Sequence, residues 1–153
     1  DEYKPWLEQG VERARKKGED KGWHNFDIHA GVFVDVDPDV KADIDRLKPR
    51  EALYVGGMGH RDKNFHNDLM CRRGFADAAN RVQELYLAGH KQEAAEAVPD
   101  EWIDLKSLMG PPARIKERYK AWDDCGATSL TVRSAQEEAM HVMAEAARLN
   151  VQR

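Results

Sequence analysis

The sequence is poor in β-strand, poor in cysteine and free of long apolar runs, and each scarcity narrows what it can be. Only two segments, 26–34 and 128–132, read as strands, and each is followed at once by a helix start, at Asp37-Pro38-Asp39 and at Ser134-Ala135-Gln136-Glu137. That alternation belongs to an α/β protein, yet two strands cannot make an α/β sheet. In the first strand Phe26, Ile28, Ala30, Val32 and Val34 share one face, while Gly31 and Phe33 lie on the other. Neither face is plainly polar, the pattern of a parallel strand covered on both sides. Parallel neighbours are therefore expected outside this sequence, which opens on Asp1 without an initiator Met or a leader. The expectation is the C-terminal part of a larger protein.

The two cysteines, Cys71 and Cys125, have no CxxC or metal-ligand spacing. That excludes a disulfide framework and points to free thiols in a reducing cytoplasm. No apolar run approaches the roughly 18 residues that a membrane span requires. A large charge excess is also missing: 24 basic residues face 28 acidic ones, for a net charge of -4. This is not the footprint of a nucleic-acid binder. The one basic cluster, Arg13-Ala14-Arg15-Lys16-Lys17, closes an amphipathic helix before Gly18, where cations complement the helix dipole. The expectation is a soluble, cytoplasmic protein without nucleic-acid or membrane partners.

What is present is helix. With 153 residues, 41% of them hydrophobic, the chain can bury a core, and 34% charged residues give it a solvated surface. Trp6, Leu7, Val11 and Ala14 recur at helical spacing over 3–17. Asp37 is expected to cap the next helix, with Pro38 at its first position and Val40, Ile44 and Leu47 as its stripe; Pro49 is expected to interrupt it. From Arg50 to Leu108 the pattern stays helical without a strand, over 52–55, 64–73, 76–88 and 93–98. This exceeds an ordinary crossover and reads as a helical insertion between two strands. Gly110-Pro111-Pro112 starts a helix carrying Ile115, Tyr119 and Trp122, and Ser134 with Glu137 forms a capping box for a last helix with Ala139, Met140, Met143, Ala147 and Leu149.

The chemistry concentrates in residues 52–68. Gly56, Gly57 and Gly59 let backbone approach another surface closely, and the donors His60, Arg61, Lys63, Asn64, His66 and Asn67 follow. Such a segment can bind a polar or anionic ligand, or it can be an inter-helix corner whose polar groups satisfy one another. It matches neither a GxGxxG fingerprint nor a phosphate loop. His60 and His66 are six residues apart, a poor helical spacing for metal ligands, so no metal is expected. His24, His29, His90 and His141 read as ordinary histidines, and no Ser/His/Asp arrangement shows a recognisable spacing. Asp35 and Asp37 follow the first strand and Arg133 the second; in a barrel they would sit at the C-terminal rim, where such enzymes place their sites, and otherwise they are caps and solvated charges.

The runs Ala52-Leu53-Tyr54-Val55-Gly56-Gly57-Met58-Gly59, Lys63-Asn64-Phe65, Asn67-Asp68, Arg81-Val82-Gln83-Glu84-Leu85-Tyr86-Leu87-Ala88-Gly89, Ala97-Val98-Pro99-Asp100-Glu101 and Gly110-Pro111-Pro112-Ala113-Arg114-Ile115 resemble the C-terminal part of luciferase-like flavin or deazaflavin oxidoreductases. The coenzyme F-420-dependent group is the most similar, and the resemblance covers nearly the whole chain. It implies that residues 1–153 are the C-terminal portion of a single (β/α)8 TIM barrel domain, with strands seven and eight at 26–34 and 128–132 and the helical insertion between them. It also implies hydride transfer with coenzyme F-420 on a small-molecule substrate, or, as the alternative, an FMN-dependent monooxygenase of the same fold, and a homo-oligomer when full length. Gly56, Gly57, Met58, Gly59, Lys63, Asn64 and Asn67 match the motif and, with Arg133, are the expected substrate- or cofactor-side residues; His66 stands where an aromatic Tyr is expected.

The non-enzymatic alternative is a helical interaction module. The barrel reading expects the two strands to pair in parallel, and it expects Ile28, Val32, Leu130 and Val132 to be exposed in the isolated chain. The same chain is expected to lack tight cofactor binding and turnover without its N-terminal half. Ala at Lys63 or Asn64 is expected to alter kinetics with little effect on stability.

Overall fold

The computed structural model describes residues 3–148 of the chain. In chain order the elements are α1 (Lys4–Lys16), β1 (His29–Asp35), α2 (Val40–Ala52), α3 (Phe65–Met70), α4 (Ala76–Leu87), α5 (Lys91–Glu96), α6 (Asp100–Asp104), β2 (Ser107–Met109), α7 (Pro112–Asp123), β3 (Ser129–Arg133) and α8 (Glu137–Ala146). They fall into two compact units, one formed by residues 35–111 and the other by the flanking residues up to Val34 and from Pro112 onward.

In the flanking unit β1 and β3 run parallel, with His29 opposite Ser129, Gly31 opposite Thr131 and Phe33 opposite Arg133. The parallel pairing expected from the sequence is therefore present. The faces differ from expectation. Val32 and Val34 are buried and Ala30, Leu130 and Val132 half-buried, whereas His29, Gly31, Thr131 and Arg133 are exposed. Val32 is thus covered rather than open, and the uncovered face is the polar one. The alternation is that of a strand pair with one apolar side packed. It was hidden in the sequence because Gly31 and Phe33 mask the polar phase of β1. Helix α8 buries Ala139, Val142 and Met143.

The unit 35–111 has its own core. Ile44, Ala52, Val55, Met70, Ala79, Val82, Leu85, Val98, Trp102, Ile103 and Met109 form one buried cluster. Several local expectations are corrected here. Asp39, not Asp37, caps α2: its carboxylate accepts from the Ala42 N–H at 3.0 Å, while Asp37 accepts from the Asp39 N–H at 2.8 Å. Pro49 does not interrupt α2, which runs through it to Ala52. Proline lacks the donor for a helical bond, but burial of Ile44 and Ala52 on either side holds the helix across the defect. The third strand, β2, and the helix α6 carry no sequence signal because three and five residues are too few to show a period.

The last helix begins at Glu137 with Gln136 as its cap position, and Ser134 Oγ accepts from the Gln136 N–H at 3.1 Å instead of forming a capping box. Leu149 lies outside the described residues. Among the described residues, no helix is long and apolar enough to cross a membrane.

Candidate functional site

The glycine-rich segment is a corner between helices. After α2 the chain continues as a π-helical turn over Leu53–Gly57, and a Cβ built on Gly57 would lie 2.4 Å from the Tyr86 ring, one on Gly56 2.5 Å from Tyr86 Cβ. The close approach inferred from the glycines is therefore made to α4 of the same unit. Gly59 turns the chain at φ +117, a conformation open to glycine, with the Lys63 carbonyl 2.8 Å from where its Cβ would be. Asn64 closes the corner. Its Oδ1 accepts from the His66 and Asn67 N–H groups at 3.0 and 3.3 Å, and its Nδ2 donates to the Tyr54 and Val55 carbonyls at 3.1 and 2.8 Å.

Asn64 thus caps α3 and ties its start to the preceding turn, so its removal must cost stability. Asn67 is buried too, donating from Nδ2 to the Ala79 carbonyl at 2.9 Å. Of the expected site residues here, Met58, Gly59 and Lys63 are the exposed ones. His66 packs edge-on to Tyr54 with ring centroids 4.8 Å apart and lies 4.0 Å from the Phe65 ring. Burial lowers its pKa, Lys106 lowers it further, and Glu51 opposes both.

Two charge clusters in this unit escaped the sequence reading. Glu51 accepts from Trp102 Nε1 at 2.7 Å and from the Lys106 ammonium, although these partners are 51 and 55 residues away. Burial pushes the Lys106 pKa down against the pull of Glu51. From the middle of α2, Arg46 bridges Asp35 and Asp43. Asp43 Oδ2 is buried without a hydrogen-bond partner, and burial raises its pKa, with Asp35 and Asp37 adding to the rise and Arg46 opposing it. Asp35 and Asp37 are therefore occupied as an ion-pair partner and a turn acceptor. Among the described residues, no group of three or more His, Cys, Asp or Glu side chains is placed to hold a metal ion.

The flanking unit holds a polar row on the open face of β1 and β3. Asp27 accepts from Thr128 Oγ1 and from Ser129 Oγ, the latter at 3.0 and 3.2 Å to its two oxygens. Ser129 Oγ is 3.0 Å from His29 Nδ1, and Thr131 Oγ1 is 2.6 Å from His29 Nε2. The hydrogen bonds from Thr128 and then Ser129 hold the Asp27 carboxyl below its usual pKa. Next along the face comes Arg133, whose guanidinium stands 5.6 Å over the Phe33 ring; a Cβ on Gly31 would meet it at 3.2 Å.

His29 is thus no isolated histidine, and Asp, Ser and His do meet. The signal missed was the common phase of the two strands, which puts His29, Ser129 and Thr131 on one side. The arrangement is not a nucleophilic triad, because Ser129 donates to the carboxylate and not to the imidazole.

A protein of Mycobacterium tuberculosis described as a putative coenzyme F-420-dependent oxidoreductase is 34% identical over 144 residues, covering 93% of this chain and 40% of that protein. The chain therefore spans well under half the length of the curated relative it matches. No solved structure matches it. The model of the luciferase-like monooxygenase family matches residues 1–129, most of the chain, and the chain belongs to that family.

Proposed function

We propose that the chain is the C-terminal part of a (β/α)8 barrel oxidoreductase that transfers a hydride with coenzyme F-420, β1 and β3 being its last two strands and residues 35–111 the insertion between them. The observation that carries this reading is the two-sided strand pair: an apolar face that is covered and a polar face left open, ending in Phe33 and Arg133 at the C-terminal ends of the strands. Barrel enzymes build their sites at that end. The family match and the F-420-dependent description of the relative support it.

The residues present suit such a cofactor. Arg133 is an exposed cation laid over Phe33 and Gly31, a flat positive wall that fits a planar, anionic group. The deazaflavin, when bound, supplies the hydride chemistry. In this reading Arg133 binds its anionic side, and within residues 35–111 Met58 and Lys63 are the exposed side chains offered to a ligand. Gly56, Gly57, Gly59, Asn64 and Asn67 hold the corner that carries them. The whole protein is then a cytoplasmic homo-oligomer acting on a small molecule, and this chain without its N-terminal half holds no cofactor tightly.

The second reading is an FMN-dependent monooxygenase, favoured by the family's description. Incubating the full-length protein with each cofactor and desalting it separates the two. Retention of F-420 supports hydride transfer, and retention of FMN with oxygen consumption supports the monooxygenase. A full-length protein that keeps neither sinks both and leaves the helical interaction module.

A further inference from the structure

We propose that Gly31 is a positioning residue for anion binding: by carrying no side chain it seats the Arg133 guanidinium flat on β1 and keeps the N–H edge open for an oxyanion of the bound cofactor. The inference rests on the reading of Arg133 given above and adds what holds that side chain in place.

A glycine inside a strand calls for a reason, because it gives up backbone entropy and packs no side chain. The ordinary reasons are missing at Gly31. Its φ lies outside the left-handed region, so any residue could adopt its backbone conformation. The ladder runs one to one from His29 opposite Ser129 to Phe33 opposite Arg133, so the glycine marks no bulge. It also lies on the exposed face of the strand pair, away from the buried Val32 and Val34.

What remains is a close approach, and the group that approaches is the guanidinium. A Cβ on Gly31 would have Arg133 Nη2 at 3.2 Å and Cζ and Nε both at 3.5 Å as its nearest neighbours. Nearly equal distances to three atoms of one plane mean that a face is turned to the strand and not a single nitrogen tip. The Phe33 ring supports the same group, with Cζ 5.6 Å from its centroid.

The contrast with Gly56 and Gly57 shows which property the glycine serves. There a methyl group would strike Tyr86 at 2.5 and 2.4 Å, so the packing itself requires glycine. At Gly31 the neighbour is the far end of a flexible, exposed side chain, which can swing into water. The fold tolerates a larger residue; the guanidinium does not keep its place.

Place matters because the donors of a guanidinium lie in its plane. A face resting on Gly31 and Phe33 leaves that edge to meet a carboxylate or phosphate through paired hydrogen bonds. Among the described residues no carboxylate pairs with Arg133. The edge is therefore unclaimed, and it stands at the C-terminal end of β3.

The test uses the full-length protein, with the Kd for F-420 from fluorescence titration and Tm from thermal unfolding. Gly31→Val fills the seat with a residue suited to strands and should raise Kd about 10-fold, the loss expected for one misdirected charge-assisted hydrogen bond, without lowering Tm. Gly31→Ala should act in the same direction to a smaller extent, and it carries the test if Gly31→Val does not fold. Arg133→Gln should weaken binding at least as much as Gly31→Val, and combining the two should add nothing. A purely structural glycine would instead lower Tm, and its effect on Kd would persist in the Arg133→Gln background; either that result or an unchanged Kd in both Gly31 variants overturns the proposal. A wild type that binds no F-420 overturns the hydride-transfer reading, and phenylglyoxal then judges the seat by itself. That reagent condenses on the guanidinium nitrogens, so Arg133 should react more slowly in the wild type than in Gly31→Val, and equal rates overturn the seat.

Discussion

Residues 35–111 enclose one large buried cluster, while in the flanking unit the strand β3 buries none of its residues. In the first, Val55, Met70, Val82 and Ile103 are almost wholly removed from solvent, whereas the second buries fewer large side chains, Val32, Val34 and Ile115 among them; both expose large apolar groups, Phe65 and Leu105 in the first and Tyr3 and Trp6 in the second. The difference teaches that a helical unit can close over a core of its own. An edge strand such as β3, with one partner, borrows its stability from its neighbours.

The sharpest way to break this comparison is to empty each region in turn. Ile103→Ala should cost about 2–5 kcal/mol of unfolding free energy, the range for a fully buried large-to-small change. Leu130→Ala, on half-buried β3, should cost about 1 kcal/mol or less. Chemical denaturation of the two variants decides it, and equal losses would erase the distinction.

Asn64→Ala should cost about 2–3 kcal/mol, because it removes a helix cap and leaves two carbonyls in search of donors. Lys63→Ala, at an exposed side chain, should stay within about 0.5 kcal/mol. A stable Asn64→Ala protein with altered kinetics would instead make Asn64 a ligand-binding residue.

Gly57→Ala should cost about 1–3 kcal/mol by driving a methyl group into the Tyr86 ring. The loss should largely disappear in a Tyr86→Ala background, since the clash is with ring atoms; a double-mutant cycle by thermal unfolding measures the coupling.

The smallest expected effect is that of pH. Burial lowers the His66 pKa in the folded state, so the folded protein favours the neutral ring. Its contribution is complete above the unfolded value of about 6.5 and is lost as pH falls below it. Asp100, its pKa lowered first by the Lys48 hydrogen bond, acts in a lower window: its contribution is lost only as pH falls below the ordinary carboxylate value. Tm measured against pH should show the upper step in the wild type and not in His66→Phe, with the lower step in both.

How much of this was legible depended on the range of the interactions. The long helices and the parallel pair were readable because periodicity and Gly-Pro punctuation are local. The Asn64 bridge was half-legible: Asn at a helix start signals a cap, but its second grip, on the Tyr54 and Val55 carbonyls, needs the fold. Glu51 gave no signal at all, since Trp102 and Lys106 reach it from more than fifty residues away. His29 was misread for the same reason: its partners Ser129 and Thr131 are about a hundred residues distant, and only the register of β1 against β3 brings them together.

That register also says something about time. Ile28 and Thr128, which begin the ladder, are 100 residues apart, so joining them from an open chain costs roughly 4 kcal/mol of closure entropy before any strand contact is gained. The helices between them close over much shorter loops. The order of events is therefore helices first, with β1 and β3 joining afterwards. Pulsed hydrogen exchange should find Val82 and Ile103 protected before Val32 and Val132, and the reverse order would mean that the strands meet unaided. Joining β1 to β3 is then the last and slowest step of folding.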